Sequence, residues 1–144
     1  MKILFICKYN AFRSRICEEY FNKINKNKDI KVISRGIIKG AVPKKAHVEI
    51  SKKILGININ KRKPKELTIE DLISSDLIIV SADDIPKIIF NYKGLKNKKI
   101  IFWKIKDEQE ENQKNIKQII LLIKRKVDEL NKKLQNEKNG NRTC

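Results

Sequence analysis

The sequence predicts an α/β fold: a doubly wound, three-layer α/β/α domain around a four-stranded parallel sheet. Three observations carry this expectation. Short apolar runs of strand length alternate with stretches whose apolar residues recur at helical spacing, the order that gives parallel strands joined by right-handed crossovers. The run Asp76-Leu77-Ile78-Ile79-Val80 is apolar enough to be covered on both faces. Near the other end Ile116, Ile119, Ile120, Ile123, Val127, Leu130 and Leu134 share one helix face, with lysines opposite.

The remaining elements follow in order. Lys2–Ile6 reads as the first buried strand, with an abrupt turn behind it. Ser14 stands where a helix N-cap belongs, and Ile16, Cys17, Tyr20, Phe21 and Ile24 form one apolar stripe. Ile30–Ser34 is the second strand, and Gly36 and Gly40 mark the loop after it. Pro43 opens a helix carrying Ala46, Ile50 and Ile54, which Gly56 closes. Asn58–Lys65 is a basic loop. Thr68 and Asp71 resemble a capping box, with Asp for the usual Glu, at the start of a short helix to Ser74. After the third strand come a short helix around Asp84–Phe90 and a fourth strand at Lys99–Trp103. One domain is expected over residues 1–135, with 136–144 as a flexible C-terminal tail.

Bulk composition narrows the function classes. The chain has 144 residues, 34 Lys and Arg against 17 Asp and Glu, and a formal charge of +17. The lysines are spread over helices, loops and tail without interleaved aromatics. The charge therefore reads as compositional rather than as a nucleic-acid footprint, although it would draw in a phosphorylated substrate. No stretch is long enough to span a bilayer, and the opening Met1-Lys2-Ile3-Leu4-Phe5-Ile6 lacks the features of a signal peptide, so a cytoplasmic, membrane-free protein is expected. Three cysteines without pairwise spacing and one histidine fit neither a disulfide framework nor a zinc site. No metal or cofactor is expected.

The chemistry is concentrated in Cys7-Lys8-Tyr9-Asn10-Ala11-Phe12-Arg13-Ser14. A strand ends at a cysteine, a short loop follows, and a helix begins at an arginine and a serine. A thiol attacks as thiolate. Here converging loop N–H groups, the helix N-terminus, Arg13 and the Ser14 hydroxyl would all favour the anion. Arg13 would clamp two oxygens of a tetrahedral oxyanion. Asn10 tolerates the left-handed conformation that a tight anion loop needs. Cys7 and Asp107 both follow strand ends, where ligands of such folds sit.

On this loop, Ser34-Arg35-Gly36 and the Asp76–Val80 strand, the chain resembles the low-molecular-weight protein tyrosine phosphatases. That family shares its phosphotyrosine protein phosphatase I-like fold with the thioredoxin-coupled arsenate reductases. The family loop reads Cys-x-Gly-Asn-x-x-Arg-Ser, and the likeness runs to about Leu134. The resemblance implies a cysteine-dependent phosphatase with Cys7 as the nucleophile that becomes a phosphocysteine. It makes Arg13 the phosphate clamp and Asp107, four residues after Trp103, the general acid. Lys8, Tyr9, Asn10, Ala11, Phe12 and Ser14 form and support the phosphate loop, and Tyr9 and Trp103 are expected at the pocket rim.

Three departures bear on the substrate: Tyr9 for the loop glycine, Glu108 for the proline that usually follows the acid, and Arg15 for a common proline or glutamine. The expected partner is a phosphorylated protein or small phosphomonoester, and the expected state a monomer or weak dimer. Two alternatives are an arsenate reductase using an external thiol and a non-catalytic phosphate- or nucleic-acid-binding module. The arsenate relay needs cysteines after the third strand, where Val80-Ser81-Ala82-Asp83-Asp84 has none. Cys17 reads as core and Cys144 as a free thiol or tag remnant on the tail. His47 reads as a surface or partly packed residue, and Asp83 and Asp84 either order the site or cap the next helix.

Overall fold

The computed structural model describes residues 1–142, with side chains through Lys138. Four parallel strands form one sheet in the order β2-β1-β3-β4: β1 Lys2–Cys7, β2 Lys31–Gly36, β3 Leu77–Val80 and β4 Lys99–Phe102. The two central strands are the most apolar, since each is hydrogen-bonded on both edges and covered on both faces.

Alternation of side chains along β1 divides the core. Ile3 and Phe5 face a layer made by α1 (Arg13–Ile24), α2 (Lys45–Leu55) and α4 (Gln113–Arg142). Leu4 and Ile6 face the opposite layer, formed by α3 (Ile69–Ser74), two 3-10 turns at Lys87–Phe90 and Lys93–Leu95, and the segments around them. This is the expected three-layer architecture. Among the described residues no helix is long and apolar enough to cross a membrane.

Three local expectations are corrected. Ser14 lies inside the first turn of α1, whose N-cap position is Phe12. Pro43 precedes α2 by two residues, because Lys44 takes the cap position in extended backbone. The expected helix at Asp84–Phe90 is a single 3-10 turn at Lys87–Phe90, preceded by Pro86 in extended backbone. The last helix, α4, runs to Arg142. The expectation for Cys144 lies outside the described residues.

The capping box of α3 forms as read: Asp71 N–H donates to Thr68 Oγ1 and Thr68 N–H donates to Asp71 Oδ2, each at 3.1 Å. Gly56 closes α2 at φ 67°, in the left-handed region.

Candidate active site

Cys7 ends β1 at the centre of the sheet, and the next five residues wrap back to the start of α1. Two features shape this loop. Asn10 adopts φ 56°, the left-handed conformation that asparagine accepts more readily than most residues. Gly36, at the end of β2, lets the loop lie close: a Cβ there would stand 2.7 Å from the Tyr9 carbonyl carbon and 2.8 Å from the Asn10 nitrogen. Behind the loop, α1 starts with no side chain bonded to its first N–H groups. Those donors and the helix dipole suit an anion.

The Ser14 hydroxyl, freed from capping, lies 2.9 Å from Cys7 Sγ and accepts from Asn10 Nδ2 at 2.8 Å. The Ser14 hydroxyl proton is then free to be donated to the sulfur. Asn10 Nδ2 also donates to Ser34 Oγ at 2.9 Å, while its Oδ1 accepts from the Lys65 N–H at 3.0 Å and from Arg62 Nη1 at 3.3 Å. Arg62 Nη2 donates to Ser34 Oγ at 3.0 Å and pairs with Glu18 at 3.2 Å. Glu18 is shared with buried Arg15. Burial lowers the Arg15 pKa, and the Glu18 charge opposes that shift. Thus a cation three hydrogen bonds away stands behind the thiol.

Arg13 is 1 % exposed, yet it is encircled by acids. Its Nη1 donates to the Ile105 carbonyl at 2.8 Å. Nη2 lies 3.1 Å from Asp84 and 3.7 Å from Asp107, and Nη1 lies 3.7 Å from Asp83. Asp83 and Asp84 therefore order the site, the first of the two readings left open by the sequence. These three carboxylates surround the guanidinium before any substrate arrives.

Around Cys7 and Arg13 opens a cleft of about 300 Å³. Tyr9, Ala11 and Phe12 form its loop wall; Lys39, Ala41, Val42, Lys44 and His47 face them; Asp107, Glu108 and Gln109 close a third side. Of the residues expected from sequence, Cys7, Tyr9, Ala11, Phe12, Arg13 and Asp107 line this cleft. Asn10 and Ser14 are buried behind the loop, and the Lys8 ammonium lies over the Tyr9 ring, 5.2 Å from its centroid. Trp103 is corrected. It is not among the lining residues but packs on Phe5, ring centroids 5.8 Å apart, because β4 turns it toward the α1–α4 layer.

Sequence reasoning missed Arg62 and Glu18, and it read His47 as a surface or partly packed residue. Arg62 is hidden in a run of lysines, and only its contacts distinguish it. His47 is buried, 4 % exposed, and its ring stacks on Phe12 with centroids 4.0 Å apart. The stacking partner lies far away in sequence, so no spacing signalled it. Among the described residues no cluster of His, Cys, Asp or Glu is arranged for a metal ion.

A thiol beneath a cationic clamp, free helix N–H groups and a carboxyl on the facing wall together suit nucleophilic displacement at a tetrahedral oxyanion. A model of the low molecular weight phosphotyrosine protein phosphatases matches residues 2–140. The chain belongs to that family. It is accordingly a phosphatase, built for a phosphorylated substrate.

Solved structures agree on the fold of this phosphatase. The low molecular weight protein tyrosine phosphatase of T. tengcongensis is 27 % identical, with a TM-score of 0.80 over 92 % of this chain and 99 % of that one. The thioredoxin-dependent arsenate reductase of Corynebacterium glutamicum is 28 % identical, with a TM-score of 0.71 over 94 % of this chain and 62 % of that one. The arginine phosphatase YwlE of Geobacillus stearothermophilus shares the fold at 18 % identity, with a TM-score of 0.82 and 96 % of each chain covered. No curated protein shows significant sequence similarity to the chain.

Proposed function

We propose that this phosphatase is of the protein-tyrosine type and acts through a phosphocysteine. Substrate phosphate sits in the Cys7–Arg13 loop, with its oxygens on the loop and α1 N–H groups and on Arg13. The Cys7 thiolate attacks phosphorus in line as the P–O bond to the leaving group breaks. Asp107 gives its proton to that oxygen, then takes one from the water that attacks phosphocysteine, releasing inorganic phosphate and the free thiolate. The observation that carries this reading is the Cys7–Ser14–Asn10 hydrogen-bond chain beneath a cleft that Arg13 and Asp107 share.

Hydrolysis of para-nitrophenyl phosphate with chelator present tests it. Cys7→Ser is expected to abolish turnover, and Asp107→Asn to slow it by about a hundredfold or more. A wild type that binds phosphate without turning over would overturn the proposal. Arsenate reduction with an external thiol has the likeness to arsenate reductases in its favour, and arsenate-dependent thiol consumption is its signature. An internal relay has less support. The stretch Val80-Ser81-Ala82-Asp83-Asp84 at the end of β3 has no cysteine, and Cys17 is buried in the core with its thiol pKa pushed well up by that burial. Phosphotyrosine and phosphoarginine peptides, assayed side by side, decide the leaving group.

A further inference from the structure

We propose that His47 is a positioning residue for the acid loop, holding Asp107 toward the leaving group from the α2 side of the cleft. This rests on the reading of Asp107 as the acid. His47 lies in the first turn of α2 and is fixed by two neighbours from different parts of the chain. Phe12, the last loop residue before Arg13, stacks against its ring at an interplanar angle of 8°. Asp107 and Glu108 line the same cleft as His47, and the Asp107 charge and the Glu108 backbone both act on the imidazole. Yet Nε2 is buried without a hydrogen-bond partner. An orphaned buried nitrogen is costly, about 1–3 kcal/mol, and native sites rarely carry one without use.

The acid loop supplies the use. In this structure Asp107 is turned toward Arg13: its Oδ2 lies 3.7 Å from Nη2, and its Oδ1 accepts the Glu108 N–H at 2.9 Å. A phosphate in the loop would take over the Arg13 donors. Asp107 then loses its cationic partner and must be held over the leaving oxygen by something else. The unpartnered nitrogen of His47, pinned by Phe12, stands on the wall that this loop approaches.

The ring must also be uncharged, since an imidazolium there would keep Asp107 ionised when the first step needs it protonated. The groups facing the ring set this balance. Burial lowers the His47 pKa and Lys44 adds to the lowering, while the Asp107 charge, the Glu108 backbone and the Glu108 charge oppose it. The net direction is toward the neutral ring.

A leaving-group series tests the inference, because a misplaced acid harms only substrates that need protonation. In His47→Phe, which keeps a ring against Phe12, kcat/KM for phenyl phosphate is expected to fall about tenfold or more, against less than about threefold for dinitrophenyl phosphate. His47→Gln, with a polar end, is expected to recover part of the phenyl phosphate loss. Equal losses for the two substrates, or none, overturn the inference.

Asp107→Asn is the benchmark. If its own series is flat, the acid reading falls and this inference with it; if its series is steep while that of His47→Phe is flat, only the inference falls. A second measurement needs no change at His47. The chain has a single histidine, so its imidazole signals are unambiguous by NMR. Asp107→Asn is expected to move the His47 titration to lower pH, and an unmoved titration overturns the pairing.

Discussion

At the residue scale, the site depends on the hydrogen bonds made by the Asn10 amide. Asn10 Nδ2 donates to both Ser14 and Ser34, so each hydroxyl is an acceptor there. Arg62 and the Lys65 N–H draw electron density toward Asn10 Oδ1, which makes the amide a better donor at its other end. The Ser14 hydroxyl, accepting from Asn10, keeps its own proton free to donate to Cys7. Arg62→Gln is expected to lower kcat/KM for aryl phosphates by about tenfold and stability by about 2 kcal/mol, since Glu18 loses a partner. Arg62→Lys should restore stability more fully than rate, because an ammonium cannot span Glu18, Ser34 and Asn10 together. Kinetics and urea unfolding on the two variants check this; equal recovery of both would reduce Arg62 to a structural ion pair. Gly36 works by absence instead. The Tyr9 and Asn10 backbone stands where its Cβ would be, so Gly36→Ala is expected to displace the loop and weaken phosphate binding, as read by phosphate titration.

At the element scale, the sheet order puts the end of β1 between the ends of β2 and β3, and those ends supply Gly36, Asp83 and Asp84 around one loop. The apolar strands and the α1 and α4 stripes were legible because hydrophobic periodicity is local. The same locality explains the failures. Ser14 looks like a cap until the loop returns its hydroxyl to Cys7, and Trp103 looks like a rim residue until the sheet turns it onto Phe5. The link between α1 and α4 was equally hidden: Tyr20 donates to Asp128 Oδ1 at 2.6 Å, and Lys124 holds the other oxygen at 2.8 Å. Burial pushes the Asp128 pKa up, but the bonds from Lys124 and Tyr20 outweigh it and leave it below the usual carboxylate value. A carboxyl with a lowered folded pKa adds stability above its unfolded pKa and loses it as pH falls through the folded one. Tyr20→Phe is therefore expected to cost about 1 kcal/mol at pH near 7. That difference should shrink below pH of about 4, where Asp128 begins to protonate. Urea unfolding at the two pH values measures it.

At the scale of the whole molecule, the question is what a charge of +17 does for a phosphatase. Sequence composition spreads the lysines everywhere and so cannot say where the field matters. The cleft is more specific: Lys39 and Lys44 stand on one wall, Asp107 and Glu108 on another, and Arg13 at the floor is already surrounded by carboxylates. Local acids thus offset the clamp at short range, while the excess of lysine over the rest of the surface acts at long range on an approaching dianion. The two ranges separate experimentally, because salt screens exposed charges beyond about 10 Å at 0.1 M and contacts inside the cleft much less. For an aryl phosphate, kcat/KM is expected to fall several-fold between about 0.02 and 0.2 M ionic strength, with kcat nearly constant. Phosphopeptides with acidic flanks should show the steeper fall, and those with basic flanks the shallower. If kcat/KM proved independent of salt, the surplus charge would have no part in capture, and Arg13 with the loop N–H groups would account for phosphate binding alone.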